Sequence, residues 1–120
     1  MEYYFAPMEG VTGAEYRAVH HRHFPGVDRY YMPFITPTQD RVFTPRELRN
    51  IAPERNVGYC AVPQLLTKNA GDFNWAAGEL WAMGYDEVNL NLGCPSGTVT
   101  AKGKGAGMLA DLEGLDRFLD

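Results

Sequence analysis

Cys94 stands where a strand-like segment ends and a segment rich in glycine and lysine begins. The stretch reads VNLNLGCPSGTVTAKGKGAGML over residues 88–109. Because Cys94 follows a glycine and precedes Pro95, we expect its thiol at the end of a strand, within reach of a ligand. A reactive role for this thiol is one interpretation. A purely structural cysteine is the alternative.

Amide side chains precede Cys94 on one face of the same segment. Side chains alternate along a strand, so Asn89 and Asn91 share one face while the valine and leucines of 88–92 share the other. Gln64 falls on the same parity as Val62 in an earlier strand-like segment. Amides on a face that should be apolar indicate a polar or ligand-filled centre. In the alternative interpretation, Asn91 caps the following turn and Gln64 binds nearby backbone.

The segment after Cys94 carries Lys102 and Lys104 among glycines. It is not a phosphate-cradling loop of the Walker type, because five residues separate Gly97 from Gly103 and Lys104 is followed by another glycine. Residues 105–110 fit a loose dinucleotide fingerprint, but they lie too far beyond the strand for the tight turn that this motif needs. We expect a flexible loop whose lysines meet a partner; a merely solvated loop is the alternative.

Composition restricts the class of protein. The chain has 120 residues, 45% of them hydrophobic and 22% charged, which is typical of one globular domain. No apolar run approaches the roughly 18 residues of a membrane span, and two cysteines are too few for a disulfide framework, so we expect a cytoplasmic protein. Because the chain has a net charge of −4, a polyanion would have to bind at a local basic patch. No metal site is expected, since the histidines at 20, 21 and 23 lack ligands at suitable spacing.

Four βα units are predicted along the chain, which indicates an α/β fold with a parallel sheet. The strands are expected at 3–6, 30–34, 60–66 and 87–92, and the helices at 14–23, 45–50, 70–83 and from 112 onward. Cys60, among apolar neighbours, is expected to be a buried structural thiol. Pro63 lacks a backbone donor and is expected to mark the end of its ladder.

Four βα units fit either an open doubly wound sheet or half of an eight-stranded barrel. The amides on the inward faces favour the barrel, because its centre can be polar and its active sites lie at the carboxyl ends of the strands. Pro7, Met8, Gln64, Asn91 and Cys94 would gather at that end. The preferred fold class is therefore the N-terminal half, about four βα units, of a (β/α)8 TIM barrel.

Three motifs together resemble the tRNA-dihydrouridine synthases, flavin enzymes of the (β/α)8 barrel type. The motifs are FAPMEGVTG at 5–13, VPQLL at 62–66 and NLNLGCPSGTVTAKGKGAGML at 89–109, and they occur in the same order over the whole chain. The dihydroorotate dehydrogenase group also carries Asn-x-x-Cys-Pro, but typically with an asparagine after the proline, where this chain has Ser96. The continuation after Ser96 favours the tRNA enzymes.

The resemblance implies a role for each matching residue. Pro7, Met8 and Glu9 would contact the isoalloxazine of FMN, and Gln64 would hydrogen-bond its ring. Cys94 would be the general acid that protonates carbon 5 of uracil, and Asn91 would help to place the base. The implied electron donor is NADPH, and the implied substrate is uridine in tRNA, whose flanking phosphates Lys102 and Lys104 would hold.

The resemblance also implies parts that residues 1–120 do not contain. A complete synthase has strands five to eight, which contribute to the flavin phosphate site, and a C-terminal helical domain that binds tRNA. We therefore expect these residues to form a partial FMN-binding catalytic domain that is inactive alone and prone to self-association through its exposed sheet edges. An FMN-dependent dehydrogenase of free dihydropyrimidines and a non-catalytic half-barrel are the alternative functions.

Overall fold

Short parallel strands alternate with helices throughout the structure, a computed structural model that describes all 120 residues. The strands are β1 (Tyr4–Phe5), β2 (Arg29–Tyr31), β3 (Ala61–Val62), β4 (Gln64–Leu65) and β5 (Asn89–Leu90). They form a three-stranded sheet in the order β1-β2-β3 and a two-stranded sheet of β4 and β5, every pair being parallel. The α/β class with parallel strands is thus confirmed.

The spatial order of the strands follows their order in the chain. A bridge between Ile35 and Leu65 continues the pairing of β2 beyond Pro63, so the two sheets follow one another without a reversal of direction. An open doubly wound sheet reverses its order at a switch point, whereas a barrel does not. The open sheets are therefore consistent with part of a TIM barrel, as the inward-facing amides predicted.

Each helix begins at a residue suited to that position. The α-helices are α1 (Ala14–His23), α2 (Pro45–Ile51), α3 (Ala70–Ala82), α4 (Gly97–Thr100) and α5 (Leu112–Leu119), and short 3₁₀ helices span Pro53–Arg55 and Gly105–Ala110. Thr44 and Glu47 form a capping box at α2, with Pro45 in the first turn. The side chains of Asn69 and Asp111 accept hydrogen bonds from backbone N–H groups at the starts of α3 and α5. No helix is long and apolar enough to span a bilayer.

The main core lies between the strands and the helices that cover them. It consists of seven buried side chains: Met32, Ile35, Phe43, Ile51, Leu65, Ala76 and Leu80. The cluster combines residues of β4 and of the segment after β2 with residues of α2 and α3. The core therefore holds the carboxyl ends of these strands against the helices. Burial of such apolar surface is the main stabilising contribution to the fold.

Three expectations about local structure were wrong. Cys60 is exposed at the position before β3, although Val62 on the same parity is buried. The ladder does not end at Pro63: the proline carbonyl accepts from the N–H of Asn89, and the N–H of Ile35 donates to the carbonyl of Gln64. The segment after Cys94 is not an irregular loop, since α4 and a 3₁₀ helix occupy most of it.

Candidate active site

The residues expected to do chemistry lie at one edge of the sheet. In a parallel arrangement the connection that follows each strand begins at the carboxyl edge. Met8 and Glu9 follow β1, Cys94 follows β5, and Lys102 and Lys104 come later in the same connection. Gln64 is the first residue of β4, and Asn91 follows β5 by one position.

Hydrogen bonds join Gln64, Asn91 and Cys94 directly. The side-chain Nδ2 of Asn91 donates to Oε1 of Gln64 at 2.9 Å. Oδ1 of Asn91 accepts from the backbone N–H of Cys94 at 2.9 Å and from that of Gly93 at 3.2 Å. Gln64 also donates through Nε2 to Oδ1 of Asn89 at 2.8 Å. A continuous hydrogen-bonded network thus runs from Asn89 on the inner face of the sheet through Gln64 and Asn91 to the backbone of Cys94.

Of the two structural interpretations of the amides, the one for Asn91 is confirmed and the one for Gln64 is wrong. Asn91 does cap the turn that follows it, because its oxygen receives the N–H groups of Gly93 and Cys94. Gln64 is only 8% exposed, and its side-chain amide bonds other side chains rather than backbone. A capping role leaves one Nδ2 hydrogen of Asn91 and one Nε2 hydrogen of Gln64 without a protein acceptor, so both residues retain donors for a ligand.

The segment after Cys94 folds back onto it. The N–H of Ala106 donates to the carbonyl oxygen of Cys94 at 3.0 Å. Gly105 has φ +56° and is buried; a Cβ at this position would lie 2.8 Å from the same carbonyl and 3.1 Å from the Cβ of Cys94. Only glycine combines this backbone conformation with this approach. The half-buried Cys94 is therefore held from both sides, by Asn91 and by residues 105–106.

The turn after β1 is fixed by Thr12 and Arg17. The N–H of Met8 donates to Oγ1 of Thr12 at 2.8 Å, and the carbonyl of Met8 accepts from the N–H of Thr12 at 3.0 Å. Arg17 is fully buried and donates to the carbonyl of Thr12 at 2.8 Å. Its other terminal nitrogen donates to the carbonyl of Asn50. Burial lowers the pKa of Arg17 from its usual range, because loss of hydration disfavours the charged form.

Pro7, Met8 and Glu9 differ in what they offer to a ligand. Pro7 is half-buried, and Met8 is 61% exposed at the carboxyl edge, so the two present an apolar surface there. The carboxylate of Glu9 accepts from Nη2 of Arg46 at 3.0 Å, which engages it in an exposed ion pair. No hydrogen bond connects the Met8 turn to Gln64.

All three lysines of the chain belong to this carboxyl edge. Lys102 is exposed and Lys104 half-buried. Lys68, which follows β4, places its Nζ 3.5 Å from the position that a Cβ on Gly103 would occupy. None of the three takes part in an ion pair. A chain with net charge −4 thus has all three of its lysines in the segments that follow β4 and β5.

The fit to a flavin ring can be tested on these groups. An isoalloxazine needs flat apolar cover and hydrogen-bonding partners for the polar edge of its ring. Pro7 and Met8 offer the first, and the buried amide of Gln64 offers the second with one unused hydrogen. The residues present therefore fit the ring of FMN. Residues that would hold a phosphate of the cofactor are not part of this cluster.

Comparison with protein families decides the assignment. The model of the family described as Dihydrouridine synthase (Dus) matches residues 4–120. The chain belongs to the dihydrouridine synthase family. No curated protein matches it at a significant level. Membership of the dihydrouridine synthase family implies the modification of uridine in tRNA, which is the activity that the family name describes. It also implies a flavoprotein oxidoreductase.

Sequence reasoning missed several residues that build this candidate site. Asn89 was recognised as polar and inward-facing, but its bond to Gln64 depends on the register between β4 and β5. Thr12 and Arg17 carried no signal in the sequence, because their partners lie in the chain before and long after them. The contact of Gly105 with Cys94 could have been suspected from the glycine repeat, but not located.

Proposed function

We propose that the chain takes part in the flavin-dependent reduction of specific uridines in tRNA to 5,6-dihydrouridine. The observation that carries this proposal is the chain of hydrogen bonds from Gln64 through Asn91 to the turn of Cys94. It joins a residue suited to a flavin ring with a residue suited to proton transfer. Reduction of a carbon–carbon double bond needs both functions side by side.

Cys94 acts in this proposal as the general acid. Saturation of the uracil ring adds a hydride to carbon 6 and a proton to carbon 5, and the thiol supplies the proton. FMN, when bound, supplies the hydride after reduction by NADPH. Asn91 fixes the backbone of the Cys94 turn through Oδ1, and its free Nδ2 hydrogen is available to the target base.

Gln64, Pro7, Met8 and Glu9 form the ring-side part of the flavin site in this proposal. Gln64 offers an amide hydrogen to the polar edge of the ring, and Met8 and Pro7 cover its face. The ion pair of Glu9 with Arg46 restricts the turn that carries Met8. Glu9 therefore contributes to this site mainly through its backbone and its position.

The lysines at the carboxyl edge contact RNA phosphates in this proposal. The target uridine has to leave its stack to reach the flavin, and cations beside the pocket hold the flanking backbone. Lys102 and Lys104 are the main candidates, with Lys68 next to Gly103 between them. Such a substrate also fits the cytoplasm as the location of the protein.

Residues 1–120 enclose only part of a flavin in this proposal. The sheets are open, and Met8 is 61% exposed, so a ring laid against Gln64 would meet solvent on its other side. We propose that strands five to eight and a helical tRNA-binding domain complete the site, that residues 1–120 alone are inactive, and that their open edges favour self-association.

The test measures flavin content and dihydrouridine formation together. The intact protein is purified, its absorbance scanned for FMN, and its activity assayed with NADPH on unmodified tRNA and separately on dihydroorotate. We expect bound FMN and reduction of uridine in tRNA. Turnover of the free pyrimidine with none on tRNA would replace the proposal with a dihydropyrimidine dehydrogenase, and the absence of both flavin and turnover would indicate a non-catalytic half-barrel.

A further inference from the structure

Asn89 accepts the first hydrogen bond in the chain that ends at Cys94. Its Oδ1 lies 2.8 Å from Nε2 of Gln64, and the two residues face each other in the register of β4 and β5. Asn89 is half-buried and itself touches neither Cys94 nor the turn that follows β5 by a hydrogen bond. Any effect of Asn89 on the site therefore passes through Gln64.

The direction of every hydrogen bond in this network is determined by the backbone N–H groups of Gly93 and Cys94. An amide side chain can present either its oxygen or its nitrogen to a neighbour, so its orientation depends on its partners. The backbone N–H groups of Gly93 and Cys94 can only donate, which requires the oxygen of Asn91 to face them. Asn91 then presents its nitrogen to Gln64, and Gln64 has to answer with Oε1.

Gln64 consequently directs Nε2 toward Asn89, where an acceptor is required. A flipped Gln64 would place its nitrogen against the nitrogen of Asn91, so two donors would face each other at the present 2.9 Å. Without an acceptor at position 89, one of the two bonds that hold the orientation of Gln64 is lost, and Nε2 is left unpaired in a residue only 8% exposed.

We propose that Asn89 is a positioning residue that holds the amide of Gln64 in the orientation set by Asn91 and, through Gln64 and Asn91, supports the turn that carries Cys94. The acceptor at position 89 keeps one Nε2 hydrogen of Gln64 bound and leaves the other for a ligand in a defined direction. The ligand is the flavin ring, and this part of the inference rests on the proposed function. The orientation of the amides is independent of the proposed function.

The first test uses the protein without cofactor. In protein labelled with ¹⁵N, the side-chain amide signals of Gln64 and Asn91 and the backbone amide of Cys94 report the chain directly. Asn89→Ala should shift all three signals and speed the exchange of the Gln64 amide hydrogens. Asn89→Asp keeps a hydrogen-bond acceptor at this position, so it should leave the Gln64 and Asn91 signals close to those of the wild type. Asn74→Ala, at an exposed position on α3, is the matched control.

The second test measures FMN affinity. We expect Asn89→Ala to weaken binding about tenfold, the size of one hydrogen bond, and Asn89→Asp to stay within about threefold of the wild type. Unchanged Gln64 and Asn91 signals in Asn89→Ala, or an Asn89→Asp variant that behaves like Asn89→Ala, would overturn the inference. Absence of FMN binding in the wild type would instead count against the proposed function, and the amide signals would still decide the role of Asn89.

Discussion

Gly105 lies against the backbone of Cys94, so closely that a Cβ on Gly105 would be 2.8 Å from the carbonyl oxygen of Cys94. The N–H of the next residue, Ala106, donates to that same oxygen. The segment that follows α4 is thereby tied to the thiol-bearing turn. Residues 97–110 are a structural part of the site and not only a connection beyond it.

Gly105→Ala should destabilise this segment. The positive φ of +56° and the contact with Cys94 both oppose a side chain, and we expect a loss of about 2 kcal/mol in the free energy of unfolding, with faster proteolysis within 97–110. Gly97→Ala is the matched control, because a Cβ there meets no atom within 4 Å and lies in α4. Equal stability of the two variants in urea would contradict the tight contact.

The sequence predicted the longer helices α1, α2, α3 and α5 and the inward-facing amides well, because both depend on local patterns. The bounds of α1 agree with expectation, and α2 and α3 differ by one residue at their ends. Gly84, which follows the C-terminal residue of α3 by two positions, has φ +101°, the left-handed conformation that glycine favours after a helix. Alternation alone placed Asn89 and Asn91 on a common face, and the structure shows both bonded to Gln64.

What the sequence did not predict depends on contacts between distant segments. Cys60 has apolar neighbours in sequence, but it precedes β3, and its exposure depends on which distant segments cover the start of that strand. The strands are shorter than expected because pairing with neighbours, not hydrophobicity, defines them. The buried Arg17 contradicts the usual location of arginine and is explained only by three acceptors from the rest of the chain.

Arg17→Met should destabilise the whole domain. The guanidinium donates to the carbonyls of Thr12 and Asn50 and to Oδ1 of Asn56, and methionine fills similar space without any donor. We expect the free energy of unfolding to fall by about 3 kcal/mol in urea titrations. Arg55→Met removes an exposed arginine paired with Glu15 and should cost less than about 1 kcal/mol. Similar losses for both variants would show that the buried contacts contribute little.

Tyr85 should make stability fall at alkaline pH. Its hydroxyl donates to the carbonyl of Ile51 at 2.6 Å, and burial raises its pKa to about 12, against about 10 in an unfolded chain. Because the folded protein holds the proton more tightly, this contribution is complete below pH 10 and is lost as the pH rises through 12. Tyr85→Phe should lose about 1 kcal/mol at pH 7 and show a flatter decline between pH 10 and 11. Parallel stability curves for the two proteins would contradict this assignment.

Lys102 and Lys104 should determine part of the salt dependence of RNA binding. Each phosphate contact contributes about 0.7–0.9 to the slope of log K against log salt concentration. The double variant Lys102→Gln, Lys104→Gln should therefore reduce that slope by about 1.5 in binding titrations with unmodified tRNA. Arg22→Gln makes the same type of charge change in the last turn of α1, toward the opposite edge of the sheet, and should leave the slope unchanged. A slope lowered equally by both changes would indicate a diffuse charge effect.

Cys94→Ala should block proton transfer while leaving the binding of FMN and tRNA intact. The thiol is held at the carboxyl edge by Asn91 and Ala106 through backbone bonds that alanine retains, so the turn should persist. Loss of a general acid typically slows a reaction by 10²- to 10⁴-fold, and we expect dihydrouridine formation to fall by about that factor. Cys60→Ala, at the exposed cysteine before β3, is the control and should keep activity close to that of the wild type.

Isotope labelling tests the same role by a different route. In D₂O the thiol of Cys94 exchanges its proton for deuterium, so the intact wild-type protein should place deuterium at carbon 5 of the dihydrouridine and on one face of the ring. A Cys94→Ala variant that still reduces uridine slowly should draw on water and show a weaker facial preference at carbon 5. If Cys94→Ala matched the wild type in both rate and facial selectivity, another group would be the acid. The hydrogen bonds from Gln64 through Asn91 would then serve only the flavin side of the site.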